Sequence, residues 1–130
     1  MNTETPVPFV AHVGIRHTQA AAEFACAEAT LEPHMLNRSG SAHGGLIATL
    51  LDTTMSRAAS QACAGEGRVV TTELKVTFIK SGHGTLQCKA WLVNRQNFQL
   101  FLEGEVHDAA GLLIARGQAT FRQRSGVDLS

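Results

Sequence analysis

The sequence predicts an α+β chain in which an antiparallel sheet curves around one long apolar helix. Two periodicities and the order of the elements predict it. Between Gly44 and Cys63, the residues Ile47, Leu51, Met55, Ala58 and Ala62 recur at three- and four-residue steps, which gathers them on one helical face. From Val69 to Phe121 apolar residues alternate with polar ones, the period of half-buried strands. Two strands precede the helix and four follow it, and a helix this rich in Leu and Ala needs a sheet to cover it.

In chain order, Phe9 to Gln19 and Glu23 to Leu31 read as two strands. Their link, Gln19-Ala20-Ala21-Ala22, has no strong turn former. Pro33 and the cluster Asn37-Arg38-Ser39-Gly40-Ser41 mark a loop. The helix follows, ended by Gly65 and Gly67. Asp52 falls at the edge of its apolar face, beside Ala48, Met55 and Ala59, an unusual place for a carboxylate. Val70, Thr72, Leu74, Val76 and Phe78 then alternate over Val69 to Lys80. Leu86, Cys88, Ala90 and Leu92 form the next strand, Phe98, Leu100, Leu102 and Val106 the one after, and Leu112 to Phe121 the last. Ser81-Gly82-His83-Gly84, Asn94 to Asn97 and Asp108 to Gly111 read as hairpin loops between four consecutive antiparallel strands. No repeat or linker divides the chain. One domain is expected over 1–130, with loose ends at 1–8, which hold Pro6 and Pro8, and at 125–130.

Composition excludes several classes of function. Lys and Arg number 11 against 11 Asp and Glu, so the basic excess that displaces counterions from nucleic acid is absent. Six Phe and one Trp, with no Tyr, make a base-stacking platform a poor expectation. No apolar run reaches the ~20 residues of a membrane helix, and the start has no signal-peptide pattern. Three cysteines without C-x-x-C spacing suit small buried hydrophobes in a reducing cytoplasm. The six histidines (His12, His17, His34, His43, His83 and His107) show no ligand-pair spacing and read as scattered solvent or loop residues, so neither a metal nor another cofactor is expected.

The stretch that carries chemistry is Asn37-x-x-Gly40-x-x-His43-Gly44-Gly45, followed by Leu46 to Leu51 and then Asp52-Thr53. A small-residue turn here opens directly into the helix. The free N–H groups of a first helical turn and the macrodipole both favour negative charge at that end. Glycines without Cβ let a ligand approach the backbone, so the turn suits a developing oxyanion as well as a phosphate. A flexible helix entry would have the same glycines.

This motif, together with Gly65-x-Gly67, Val76-x-Phe78 and Asp108-x-x-Gly111-x-Leu113-x-Ala115, resembles the hotdog-fold acyl-CoA thioesterases, in particular the phenylacetic-acid-degradation branch. The resemblance runs from about Met35 to Phe121. It departs in the first hairpin, where that family more often has a Gly/Pro turn than Gln19 to Ala22. The resemblance implies hydrolysis of an aryl- or short- to medium-chain acyl-CoA. The Gly44 N–H would polarise the thioester carbonyl, with His43 and Gly45 shaping the turn and binding substrate. Asp52 would be general base or nucleophile, Asn37 would orient water or the thioester, and Thr71 would set a hydroxyl near the attacking water. It also implies a homo-oligomer, a dimer or dimer of dimers, with Asp52 of one subunit facing the Gly44 turn of another.

Each position has a structural reading beside the functional one. Asp52 also suits a carboxylate bonded to facing backbone, His43 a loop cap, Asn37 a turn former and Thr71 a β-former. By strict alternation, Thr71 lies on the face opposite Val70 and Thr72. Lys80, Arg116 and Arg122 suit the CoA phosphates or ordinary surface charge. A hydratase on this fold would need a D-x-N-P-x-H segment, and none of Asp52, Asp108 and Asp128 begins one. A module that binds acyl-CoA without turnover would not need a carboxylate beside the carbonyl.

Overall fold

The computed structural model describes residues 7–125. Its elements are helix α1 (Pro8–His12), strands β1 (Ile15–Ala21) and β2 (Phe24–Thr30), helix α2 (Gly44–Ala62), and strands β3 (Arg68–Phe78), β4 (Thr85–Gln96), β5 (Gln99–Asp108) and β6 (Leu113–Arg124). The six strands form one antiparallel sheet in the order β1-β2-β4-β5-β6-β3. It wraps α2, and the core lies between helix and sheet. This is the helix-in-sheet architecture that the pattern of elements predicts, and the hotdog fold that the resemblance implies.

The helix is buried along paired rows: Leu46 and Ile47, Leu50 and Leu51, Thr54 and Met55, Ala58 and Ala59. This stripe is wider than the expected one and leaves Ala62 only partly covered. The Thr54 hydroxyl is satisfied within it, donating to the Leu50 carbonyl at 2.6 Å. The opposite side, with Thr49, Asp52, Thr53, Ser56, Arg57 and Ser60, is not fully covered by the sheet. Among the cysteines, Cys88 lies deepest, and burial pushes its thiol up to about 12, so it packs as an inert hydrophobe.

Three expectations are corrected. The expected strand over Phe9 to Gln19 is split: Pro8 opens α1, and Gly14, at φ +89°, turns the chain into β1. Pro and Gly at those places override the apolar alternation. β1 then continues through Ala21, so its hairpin turns at Ala22 and Glu23. The parts of the expected loose ends at 1–6 and 126–130 lie outside the described residues.

Second, β3 does not make a hairpin with β4. It crosses to the far edge and pairs with β6, Phe78 opposite Ala115 and Arg68 opposite Arg124. The connection over 79–84 is held by Ile79 and Lys80 N–H groups donating to the Ile114 carbonyl, and by Gly82 accepting from Ala42. Alternation states which residues of a strand share a face, not which strand lies beside it. Third, Asn94 to Gln96 belong to β4, and the tight turn is Asn97-Phe98, with Asn97 at φ +55°.

The depth at which α2 sits is set by two glycines. Gly104 on β5 and Gly117 on β6 are paired across the sheet. A Cβ on Gly104 would lie 3.2 Å from Leu51 Cδ2, and one on Gly117 would lie 3.1 Å from the same atom and 3.2 Å from Met55 Cε. Leu51 and Met55 are fully buried and cannot swing aside. Gly117→Val should therefore destabilise the fold by about 1–3 kcal/mol, the usual cost of overpacking. Urea denaturation measures it, and an unchanged midpoint would show that the helix can lift off the sheet freely.

Candidate active site

The turn that enters α2 is built by Asn37. Its Oδ1 accepts from the N–H groups of Ser39 and Ser41, at 2.9 and 3.1 Å, and its Nδ2 donates to Ser41 Oγ at 3.0 Å. The Asn37 N–H closes the loop on the Ser41 carbonyl at 2.7 Å, and Gly40 supplies the left-handed residue at φ +83°. The Asn37 amide is thus engaged with its own loop. The crossing segment fixes the loop through Ala42 and Gly82, and the Met35 carbonyl accepts from His43.

His43 is the N-cap of α2. Its Nδ1 accepts from the Gly45 N–H at 2.8 Å, while its carbonyl takes the N–H groups of Leu46 and Ile47. Among the described hydrogen bonds, Gly44 is the first-turn residue whose N–H has no partner. Phe78 lies over it: a Cβ on Gly44 would meet the ring at 3.5 Å. Gly45 is occupied by the cap and Gly44 is open.

Asp52 sits two helical turns further along α2, half-buried at the margin of the core. Thr71 Oγ1 donates to Asp52 Oδ1 at 2.7 Å. Strict alternation sets Thr71 against Val70 and Thr72 and gives it no clear reach toward the helix. The bond exists because β3 carries a bulge at Thr72. Thr71 pairs with Phe121 and Glu73 with Thr120, so the strand's phase shifts by one residue. Thr71 therefore shares the inner face with Leu74, Val76 and Phe78. The unpaired Thr72 hydroxyl donates to the Thr120 carbonyl at 3.0 Å.

Within one chain, Asp52 and Thr71 meet, and Asn37, His43, Gly44 and Gly45 form one turn. The two groups do not meet, since eight residues of helix, roughly 12 Å along the axis, separate Gly44 from Asp52. Arg116 and Arg122 lie on the outer face of the sheet, away from α2, and Arg116 is 3.6 Å from Glu105; Lys80 is exposed. No group of three or more His, Cys, Asp or Glu residues is arranged to hold a metal among the described residues.

Two basic groups, His17 and Arg57, escape a reading by motif. His17, expected among scattered solvent or loop histidines, lies on β1 and faces α2, its Nε2 3.3 Å from Thr53 Oγ1. Burial first, and then the Arg57 guanidinium, hold its imidazole below the ordinary histidine range. The pairing of His17 with buried Ala27 sets this inward direction, and the two-residue spacing from Ile15 is the signal that could have found it.

The chain also resembles known proteins. Residues 39–115, more than half of its length, match the thioesterase superfamily model. The structure of the conserved protein PA5202 from Pseudomonas aeruginosa superimposes with a TM-score of 0.88 at 29% identity, covering 92% of this chain and 95% of that one. AziG of S. sahachiroi gives a TM-score of 0.86 at 28% identity, covering 92% and 98%. The E. coli PaaI protein, from the phenylacetic acid degradation operon, shares the fold at 20% identity, with a TM-score of 0.84 and 92% and 86% covered. No curated protein sequence matches the chain. No helix among the described residues is long and apolar enough to cross a membrane. With its sheet, its helix and more than half of its sequence in agreement, this chain belongs to the thioesterase superfamily.

Proposed function

We propose that the protein hydrolyses acyl-CoA thioesters to free acid and CoA, with Asp52 as the catalytic carboxylate. The observation that carries this reading is the Asp52–Thr71 pair on the less covered side of α2. Burying part of a carboxylate is costly, and here one hydroxyl fixes one oxygen while Oδ2 has no partner among the described hydrogen bonds. Asp52 takes a proton from water as that water's oxygen attacks the thioester carbonyl carbon. The carbonyl electron pair moves onto oxygen, where the Gly44 N–H donates to it. Collapse breaks the C–S bond, and the proton on Asp52 passes to the departing thiolate. In the nucleophilic variant, Asp52 attacks the carbon itself and water then hydrolyses the anhydride. Both routes start from the ionised carboxylate. Membership in the superfamily supports acyl-thioester chemistry, and the unpaired cysteines Cys26, Cys63 and Cys88 suit a reducing cytoplasm.

The separation of Gly44 from Asp52 makes the reaction depend on a second copy. Within one subunit the two groups cannot engage the same thioester carbonyl, whereas an antiparallel partner helix would bring the Gly44 turn of one copy to Asp52 of the other. The edge strand β3, with Phe78 55% exposed on its inner face, also calls for a cover. We therefore assign a dimer or dimer of dimers. Light scattering at low micromolar concentration should show at least a dimer; an active monomer would overturn the shared site.

Asp52→Asn keeps the shape and the bond from Thr71 but removes charge and basicity. It should lower kcat on the best acyl-CoA by at least about 100-fold with KM changed far less, read in a thiol-release assay over phenylacetyl-, hydroxybenzoyl-, acetyl- and medium-chain substrates. Turnover within a few-fold of wild type would remove Asp52 from the chemistry. A wild type that binds acyl-CoA but releases no thiol would instead make the protein a sensor.

A further inference from the structure

Next to the Asp52–Thr71 pair in sequence, with Thr53 and Val70 in its lining, a cleft of about 440 Å³ lies between α2, the inner face of β1 and the start of β3. Its polar lining is Thr53, Ser56, Arg57 and Ser60 from α2, His17 from β1 and Arg68 from β3. Ser56 and Ser60 continue the row of Asp52 along the helix at four-residue steps, so the cleft extends from Thr53, the residue after the carboxylate, toward the helix C-terminus. It holds two guanidinium groups, an imidazole and three hydroxyls, and no carboxylate among the described residues.

The cations are not neutralised from within. Arg57 Nε is buried without a hydrogen-bond partner, and so is His17 Nδ1. No ion pair to Arg57 or Arg68 is formed among the described residues, and the one carboxylate on this row, Asp52, is held by Thr71. A partly desolvated guanidinium with an unmet N–H is costly unless an anion completes it. The His17 imidazole, depressed by burial and by Arg57, registers the same positive field. A planar guanidinium surrounded by hydroxyl donors matches a carboxylate.

Building on the thioesterase reading, we propose that this cleft seats a carboxylate at the far end of the acyl group, and that the preferred substrates are thioesters of short dicarboxylic acids. Reach selects this anion. Arg57 lies five residues beyond Asp52, roughly 7–8 Å along the axis and about 140° around it, so its long side chain, reaching into the cleft, meets a short acyl chain extended from a carbonyl at Asp52. The pantetheine arm of CoA carries its first phosphate well beyond that reach. Arg57 and Arg68 bind the carboxylate, the serine and threonine hydroxyls donate to it, and neutral His17 lines the wall.

The test compares glutaryl and pentanoyl thioesters, which match in chain length and differ in the terminal carboxylate, each on CoA and on N-acetylcysteamine, which lacks the phosphates. Wild type should prefer glutaryl by about tenfold to a hundredfold in kcat/KM on both carriers, the worth of a charged hydrogen-bonded pair. Arg57→Gln should abolish the preference while pentanoyl turnover stays within a few-fold. Arg57→Lys, which keeps the charge but loses the planar fork, should retain part of it and serves if the glutamine variant does not fold. A wild type without preference, an equal loss on both acyl groups, or a loss on CoA but not on N-acetylcysteamine would overturn the proposal. If wild type hydrolyses no thioester, the thioesterase reading falls by itself. Free glutarate is then titrated against the His17 ring signals by NMR. A saturable shift that Arg57→Gln removes would uphold the carboxylate seat, and no shift would end it.

Discussion

The close approach of Leu51 and Met55 to the sheet at Gly104 and Gly117 is the constraint from which the rest of the molecule follows. No side chain intervenes at those two positions, so α2 sinks until its Leu and Met methyl groups rest on backbone. That depth fixes which rows of the helix are buried. The rows Leu46–Ile47 through Ala58–Ala59 disappear, and the opposite side is left open between the two sheet edges. Asp52 falls on the boundary. A helix lifted by one side-chain layer would expose Asp52 fully to water, beyond the reach of Thr71.

A second small device completes the site. One extra residue in β3, Thr72, turns Thr71 toward the helix and keeps Leu74, Val76 and Phe78 on the same inner face. β1 does something parallel at Thr18, where the register slips between His17 and Gln19, so His17 and Ala20 both face inward. The two edge strands thus each use a bulge to bring one polar side chain against α2. The central strands β2 and β4 need no such correction along their shared register.

Much of this was legible in the residues. The helix stood out because its apolar spacing is long and regular, and its entrance because glycines, a histidine cap and a turn-forming Asn come in one run. The family was legible for the same reason: loop, helix and carboxylate are local in sequence, so their spacing survives without coordinates. What stayed hidden depends on distant partners. The Thr72 bulge is a mismatch between β3 and β6 and leaves no mark in β3 alone. The crossing of β3 to β6 is hidden in the same way, because Ser81 to Gly84 have the composition of a hairpin loop. The cleft at Arg57 joins residues of β1, α2 and β3 that share no motif. The helical turn at Pro8 is a different case: its Pro and Gly signals are present in the sequence, but the apolar residues around them have the pattern of a strand.

The crossing of β3 also bears on how the chain folds. β1 and β2, β4 and β5, and β5 and β6 are neighbours in sequence and pair across short turns. Two ladders are long-range: β2 must wait for β4, with α2 and β3 between Thr30 and Thr85, and β3 must wait for β6, with several tens of residues between Phe78 and Ala115 still to be ordered. Closing that long loop places the β3–β6 ladder late and slow on the folding path, in the roughly millisecond-to-second range of topologies rich in distant contacts. Until it closes, Asp52 lacks the hydroxyl of Thr71 and the Gly44 turn lacks the ring of Phe78. A nascent subunit therefore acquires its hairpins before it acquires its chemistry.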